Sequence, residues 1–316
     1  MTALTPPTLD RNLLHRLGIV AVLFVIAGLL SVLTDSFATA SNLTNVARQI
    51  SINGILAVGV TFVLLTGGVD LSLGSVVALS GVVCALFAHP GDHPLFVPIG
   101  MGLLTGVLCG LLNGVLVTRG GIAPFIVTLG MMTVARGLAL IISGGKPVAD
   151  MSPALTNLSG DLGPLPIPLL CFALVAGLSW LFLGRFRLGR HLYAVGGNEQ
   201  AARAAGVSVP QVKLFAYGLC GLLTGLAGVV LAARITTGQP NAGQAYELDA
   251  IAAVVIGGTS LSGGVGSVLG TVLGVLLIGV INNGLDLLSV SSYYQAVIKG
   301  VIIVGAVWLD RRQARS

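Results

Sequence analysis

The sequence predicts an all-α, polytopic integral membrane protein. Of its 316 residues, 55% are hydrophobic and only 9% are charged, and the mean hydropathy is +0.98. A soluble domain of this length has too small an interior for so many apolar side chains. The 45 glycines fall largely within apolar stretches, where small residues let transmembrane helices approach closely. A single transmembrane domain over residues 1–316 is therefore expected.

Ten apolar segments are candidates for membrane spans, each of which needs about 20 residues to cross a bilayer. They are 17–34, 46–66, 73–88, 95–117, 122–142, 165–184, 211–232, 248–258, 265–283 and 294–309. The third and eighth segments are short and bounded by glycine. The first segment follows basic residues as a signal peptide would, but its length and the many later spans favour an uncleaved helix.

The basic residues predict the orientation of these spans. Ten spans place both termini on the same side, and positive residues are enriched in cytoplasmic loops. With the termini inside, the cytoplasmic set contains 11 of the 16 lysines and arginines: Arg11, Arg16, Arg119, Arg185, Arg187, Arg190, Arg203, Lys213, Arg311, Arg312 and Arg315. Adding or removing one central span would scatter this set over both faces, so both termini are predicted to be cytoplasmic.

The longest polar interruption, 183–210, lies between the sixth and seventh spans and contains four arginines. Within it, a turn at 196–199 precedes a run of good helix formers at 200–205, which Gly206 ends. This segment is cytoplasmic in the predicted arrangement. Its residues alone leave two interpretations open: an ordinary positive-inside loop, or a short helix that docks into another protein.

Several functional classes are excluded by what the sequence lacks. Gly144-Gly145-Lys146 has neither the upstream glycine nor the following Ser or Thr of a Walker A motif, so any ATP and Mg would be bound by another chain. The histidines are scattered, and the four cysteines lie in apolar stretches without metal-ligand spacing. The net charge of +5 is not accompanied by the aromatic residues of a nucleic-acid surface. Neither an enzyme nor a cofactor in this chain is expected.

Three charged residues fall within or beside the spans, where a charge is costly. Asp70 follows a Gly-Gly break and is interpreted mainly as a cap of the third span that accepts backbone N–H groups near 72–74. Arg136 is expected to form a structural ion pair, and Lys299 is expected to extend to the membrane surface. Substrate or ion contact is the alternative for each of them.

A weak internal repeat marks a candidate pathway. The sequence at 66–72 resembles that at 256–262, and Asn113-Gly114 resembles Asn283-Gly284. Glycine-interrupted spans at corresponding places in two halves indicate the centre of a transporter. The spans' asparagines suit either hydrogen bonds between helices or contact with a neutral, hydroxyl-rich solute. The candidate pathway residues are Asp70, Ser72, Asn113, Thr259, Ser260, Asn282 and Asn283.

Longer motifs connect the chain with a known family. They are LGRHLYAVGGNEQAARAAGVSV, YGLCGLLTGLAGVVLAARI, QPNAGQAYELDAIAAVVIGGTSLSGGVGSVLGT and NNGLDLLSVSSYYQAVIKG, together with TGGVDLSLGS near position 70. Over nearly its whole length, the chain resembles the permease subunit of ribose-type sugar ABC importers. The ribose branch fits the C-terminal third best, and arabinose, xylose, galactofuranose and autoinducer-2 permeases are the alternatives.

The resemblance implies a function and a set of partners. It implies that 183–210 carries a coupling helix that enters a groove on an ATPase, through Gly197, Asn198, Glu199, Ala202 and Gly206, with Arg203 on the same helix face as Glu199. It also implies a second copy of the permease, an ATPase with tandem nucleotide-binding domains, a periplasmic sugar-binding protein and the lipid of a bacterial inner membrane. An ion-coupled secondary sugar transporter is the alternative class.

Overall fold

A computed structural model describes residues 11–313, and nearly all of their regular structure is helical. The helices are α1 (Arg11–Leu33), α2 (Ala40–Leu65), α3 (Leu73–Leu86), α4 (Phe96–Thr118), α5 (Pro124–Ser143), α6 (Pro153–Thr156), α7 (Ile167–Arg185), α8 (Arg187–Gly197), α9 (Glu199–Ala204), α10 (Val209–Ile235), α11 (Tyr246–Ile256), α12 (Val268–Leu287) and α13 (Ser292–Gln313). A 3-10 turn (Asn157–Ser159) precedes a short antiparallel hairpin of β1 (Asp161–Leu162) and β2 (Leu165–Pro166).

A helix occupies each of the ten predicted apolar segments. Seven of these helices, α1, α2, α4, α5, α7, α10 and α12, are long and apolar enough to cross a membrane. Helices α3 and α11, with 14 and 11 residues, are shorter than a bilayer core. The protein is therefore a multi-pass, all-α membrane protein, while ten crossings and cytoplasmic termini stay predictions.

Helix α2 forms the centre of the fold. Every residue from Ile50 to Leu65 is buried, because α2 packs against α7, α10, α11 and α12. By contrast, α1 packs mainly against α12, and Phe24 and Val25 on it are 72% and 69% exposed. The sequence of a helix that is apolar on all sides does not show whether it lies at the centre of the fold or against lipid. Only the tertiary structure shows that α2 is central and α1 is peripheral.

Helices α4 and α10 cross at close range through facing glycines. A Cβ added at Gly110 would lie 2.8 Å from the Cα of Gly221, and one added at Gly225 would lie 3.1 Å from the Cα of Leu103. Larger residues would push the two backbones apart. In lipid there is no hydrophobic driving force between helices, so dispersion forces between closely packed backbones stabilise such a crossing.

Two predicted loops contain more regular structure than the sequence indicated. Most of 183–210 is helical, because α8 and α9 fill it, and α9 begins one residue before the predicted 200–205 run. The connection 144–166 between α5 and α7 contains α6, the 3-10 turn and the hairpin. A two-oxygen hydrogen bond from Arg48 Nη2 to the Asp161 carboxylate, at 2.8 and 2.9 Å, fastens this hairpin to α2.

The connection between α10 and α11 does not stay at the surface. A backbone bridge joins Gly238 to Val148, and Gly238 packs against Val82 and Ala85 near the end of α3. Five residues later, Gly243 packs against Gly74 at the start of α3. The connection therefore runs down most of the length of α3 before α11 begins.

Candidate functional site

Helix α9 is a short helix with defined ends. The side chain of Asn198 accepts a hydrogen bond from the Ala201 N–H at 2.9 Å and caps its N-terminus. At the other end, Gly206 has φ +82, and the Val207 N–H donates to the Ala202 carbonyl. Glycine adopts this left-handed conformation without the steric cost of a Cβ. The local sequence alone therefore specifies where this helix begins and ends.

Glu199 holds α9 against the N-terminal part of α10. Its Oε2 accepts a hydrogen bond from Lys213 Nζ at 2.6 Å, and its Oε1 accepts one from Arg203 Nη2 at 2.9 Å. The hydrogen bond from Lys213 is the main reason why the pKa of Glu199 lies below its usual 4.5. Glu199 thus bridges two cations of its own chain. Ala202 is buried beneath the helix, whereas Gln200, Arg203 and Ala204 line a shallow surface hollow beside it.

The C-terminal end of α8 touches two glycine-containing connections, 66–72 after α2 and 257–267 after α11, which we call the glycine breaks. The Gly264 N–H donates to the Leu65 carbonyl at 3.0 Å, and Gly196 packs against both of these residues. A Cβ added at Gly263 would lie 2.7 Å from the backbone nitrogen of Gly67. The two glycine breaks therefore contact each other beside the C-terminal end of α8. This contact brings the two halves of the weak repeat together.

Thr259 and Ser260 form the turn within the second break. The Ser260 N–H donates to the Val265 carbonyl at 3.0 Å, and the Ser262 N–H donates to Ser260 Oγ at 3.2 Å. Thr259 is fully buried, and its hydroxyl has no hydrogen-bond partner within residues 11–313. Ser260 therefore stabilises the turn, whereas Thr259 packs closely against Gly266.

Asp70, Ser72 and Asn113 form a buried cluster just before α3. Asp70 Oδ1 accepts hydrogen bonds from the Ser72 N–H at 2.8 Å and from Ser72 Oγ at 2.6 Å, and Asn113 Nδ2 donates to Ser72 Oγ at 3.1 Å. Asp70 is 2% exposed, and no ion pair involves it within residues 11–313. It accepts the N–H of Ser72, within the expected 72–74 stretch, so it closes the turn that leads into α3. The Oδ1 atom of Asn113 has no partner in the described chain.

A second buried cluster joins α11, α12 and α13. Asp249 Oδ2 accepts hydrogen bonds from Lys299 Nζ at 2.9 Å and from Asn282 Nδ2 at 3.1 Å. The side chain of Asp249 is only 6% exposed. The expectation that Lys299 extends to the membrane surface is therefore wrong, since a buried acid 50 residues away holds its ammonium group. Asn283 belongs to a separate contact, a reciprocal amide pair with Asn42 of α2.

Arg136 is held by backbone rather than by an acid. Its Nη1 donates to the carbonyls of Pro240 and Ala242 at 2.6 and 2.8 Å. The expectation of an ion pair is wrong for the described chain, in which no acid lies within salt-bridge distance of Arg136. Two carbonyl dipoles compensate part of its charge, and Glu247 supplies a negative charge nearby. The arginine thus fixes the descending connection between α10 and α11.

Asp249 and Glu247 were not identified as site residues from the sequence, although the sequence contained a signal for both. Asp249 lies within the predicted eighth span, 248–258, and Glu247 lies one residue before it. They are the same kind of anomaly as Arg136, since a charge at membrane depth needs a partner. Among the described residues, no group of three or more His, Cys, Asp or Glu side chains could hold a metal ion.

Charged and amide groups between membrane helices, together with glycine-interrupted segments from two halves that touch each other, are typical of membrane transport proteins. The family model described as the permease component of branched-chain amino acid transport systems matches residues 42–307. The chain belongs to this family. No solved structure matches the chain.

Relatives with assigned functions match almost end to end. The chain is 46% identical to the ribose import permease protein RbsC of Bacillus subtilis (strain 168). The 309 aligned residues cover 96% of this chain and 95% of the relative. It is 44% identical over 306 residues to RbsC of Escherichia coli (strain K12), or 95% of each chain. The D-allose transport system permease protein AlsC of the same strain is 40% identical over 294 residues, or 93% of this chain and 90% of the relative.

Proposed function

We propose that this chain is the permease subunit of an ATP-driven importer for ribose or a closely related monosaccharide. The observation that carries the proposal is identity of 44–46% to two ribose import permeases over about 95% of this chain. The buried hydroxyl and amide groups suit a neutral solute, since they offer hydrogen bonds without a net charge. The chain provides a path and performs no chemistry of its own.

Ten spans with both termini in the cytoplasm are the proposed topology, in the inner membrane of a bacterium. The positive-inside distribution supports it, as does the presence of a helix at each of the ten predicted segments. In this topology α8 and α9 lie on the cytoplasmic side, together with the two glycine breaks that α8 touches. The hairpin and the turn at 89–94 lie on the periplasmic side.

The proposed partners follow from this arrangement. They are a second copy of the permease, an ATPase with tandem nucleotide-binding domains that holds ATP and Mg, and a periplasmic sugar-binding protein. The coupling segment comprises Gly197, Asn198, Glu199, Ala202, Arg203 and Gly206. Among these, Ala202 is buried and Glu199 is engaged within the chain, so the exposed Arg203 and Gly197 are better placed to touch the ATPase.

Contact between α8 and both breaks gives the coupling segment a route to the pathway. A displacement of α9 would be transmitted through α8 to the Leu65–Gly264 contact, and from there to the starts of α3 and α12. Asp70, Ser72 and Asn113 follow the first break, and Thr259 and Ser260 lie in the second. Asn282 and Asn283 lie farther along α12. These seven residues are proposed as groups that rearrange when the pathway opens and closes.

Reconstituted transport tests the proposal. The permease would be assembled in proteoliposomes with its ATPase, with the binding protein and radiolabelled ribose outside. Uptake is expected to require ATP and to survive a protonophore and a sodium ionophore. Uptake that stops when the ion gradients collapse, with ATP present, would overturn the ATP-driven mechanism.

An ion-coupled sugar transporter is the second candidate, and Asp70 is the observation that favours it. A fully buried carboxyl without a cation beside it is the type of group that binds a proton or an ion in such carriers. The similarity to import permeases weighs against this candidate. The same ionophore experiment separates the two mechanisms, because an ion-coupled carrier loses uptake whatever the ATP concentration.

A further inference from the structure

The segment Thr237–Ala245 is an irregular stretch of backbone that descends into the membrane domain. Gly238 lies beside Gly81 and Ala85, whereas Gly243 lies beside Gly74. These positions are seven to eleven residues apart along α3, which corresponds to about 10–16 Å at 1.5 Å per residue. Gly74 lies 12 residues, or about 18 Å, from the end of α3 at Leu86. In the proposed topology the polar turn at 90–94 follows this end of α3 outside the membrane, so Gly243 lies deep within a bilayer core about 30 Å thick.

Specific contacts hold this segment at depth. Gly243 has φ +70, and a Cβ there would lie 2.5 Å from the Gly74 carbonyl oxygen, so only glycine permits the approach. Arg136 donates to the carbonyls of Pro240 and Ala242 from the middle of α5. These bonds fix the segment at both α3 and α5, and they satisfy carbonyl groups that a regular helix would have satisfied.

The same segment exposes two amide side chains. Asn241 and Gln244 are both exposed, and neither side chain is hydrogen-bonded to another residue within 11–313. In hydrocarbon, an amide group without a hydrogen-bond partner is strongly unfavourable. Irregular backbone occurs at membrane depth only inside protein or beside a water-filled cavity. The face that carries these amides therefore does not contact lipid.

We infer that the 237–245 segment forms the sugar-contacting wall of the pathway, with Asn241 and Gln244 as specificity-determining residues and Arg136 as the positioning residue behind them. The inference rests on the proposed sugar transport. An amide offers one acceptor and two donors, which is the chemistry that recognises adjacent sugar hydroxyls without requiring a charge. Arg136 touches the segment's carbonyls and sets its position.

Cysteine accessibility tests the location. Asn241→Cys and Gln244→Cys would be made in a background whose four native cysteines are replaced by alanine, after its ATP-driven ribose uptake has been measured. A membrane-impermeant methanethiosulfonate is expected to label both from the periplasmic side, because its reaction needs a hydrated thiolate. Val25→Cys, on the exposed face of α1, is the matched control and should stay unlabelled in lipid. If neither 241 nor 244 reacts in any state of the complex that transports ribose, the inference is wrong.

Sugar selectivity provides a second and independent measurement in the native-cysteine chain. Asn241→Ala and Gln244→Ala are each expected to lower ribose uptake by about 3- to 10-fold, the range for loss of one neutral hydrogen bond. They should also change the ratio of ribose to allose uptake. Asn157→Ala, in the exposed 3-10 turn, is the control and should change neither quantity. Unchanged rates and ratios in both variants would overturn the assignment of specificity.

Arg136 has its own readout. Arg136→Gln should reduce the labelling rate of Asn241→Cys, because the segment loses two charge-assisted bonds. Arg136→Lys should restore the rate in part, since an ammonium group donates to the same carbonyls. Labelling identical to that of the parent in both variants would remove the positioning role. If ribose is not transported by the parent protein at all, the proposed function fails, whereas labelling of 241 and 244 still decides whether the segment borders water.

Discussion

Lys213 Nζ lies 2.6 Å from Glu199 Oε2, so the first residue of α9 is bonded to the N-terminal part of α10. Arg203 approaches the other oxygen of the same carboxylate at 2.9 Å. An acid that was expected to reach outward to an ATPase is thus held by its own chain. The bond fixes the angle at which α9 leaves the membrane domain, and it gives the coupling segment a rigid attachment to a long transmembrane helix.

Exchanging the two charges tests this attachment. Glu199→Lys should lower transport-linked ATPase activity by about three- to tenfold, since a partly exposed ion pair contributes about 1 kcal/mol and the variant adds repulsion. The double variant Glu199→Lys/Lys213→Glu should recover most of the loss. ATPase activity of the reconstituted complex is the measurement. If the double variant is as impaired as the single one, Glu199 acts on the ATPase directly.

The stabilisation that Glu199 provides through Lys213 and Arg203, here called the Glu199 clamp, should not depend on pH in the physiological range. The folded-state pKa of Glu199 is lowered, so its stabilisation is complete above the unfolded value of 4.5 and is lost as the pH falls through the folded-state pKa. The melting-temperature difference between the parent and Glu199→Gln should stay constant from about pH 6 to about pH 8 and shrink below about pH 4.5. A difference that disappears near neutral pH would contradict the clamp.

Two adjacent glycines provide a matched pair for the α8 contact. A Cβ at Gly196 would collide with the Leu65 carbonyl and with the Gly264 nitrogen, whereas one at Gly197 would meet nothing within 4 Å. Gly196→Ala is expected to destabilise the permease by about 1–3 kcal/mol, the usual cost of overpacking. Gly197→Ala should leave the melting temperature unchanged. Equal stability of the two variants would show that α8 does not press on the glycine breaks.

The Asp249–Lys299 pair should matter most when one partner is removed. Lys299→Met leaves a buried carboxylate without its cation and should destabilise the protein by about 3 kcal/mol. Asp249→Asn/Lys299→Met should recover most of this stability, because the Asn282 amide can still bond to the new amide. Lys146→Met, in the exposed turn after α5, is the control. Thermal unfolding in detergent measures all three, and a double variant no better than the single one would contradict the pairing.

At Asp70, the oxygen should matter more than the charge. Asp70→Asn keeps an acceptor for the Ser72 N–H and hydroxyl, so the variant should fold and retain substantial ATP-driven uptake. Asp70→Leu leaves a buried N–H unsatisfied and should lose about 1–3 kcal/mol. Melting temperature and uptake are measured together. If the asparagine variant assembles normally but transports nothing, the carboxylate is functional and the ion-coupled mechanism gains support.

The positions of the membrane helices follow from the sequence because lipid imposes a local requirement. A backbone in hydrocarbon must satisfy its own hydrogen bonds, so each span appears as a continuous apolar helix whose limits can be read from neighbouring residues. The same holds for α9, whose cap at Asn198 and stop at Gly206 are local features. The predicted and observed limits of this helix differ by one residue at each end.

Only the tertiary structure assigned the partners of the polar residues. Lys299 donates a hydrogen bond to Asp249, and Asn283 donates one to Asn42. Arg136 donates to the carbonyls at 240 and 242. These partners are 50 to 241 residues apart in the sequence. Helices that are apolar on every side have no periodicity to indicate which face meets which neighbour. The polar sequence at 237–245 also has the composition of a surface loop, and only the tertiary structure shows that it packs along α3. The sequence therefore determined where the membrane helices form, and packing decided which groups meet between them.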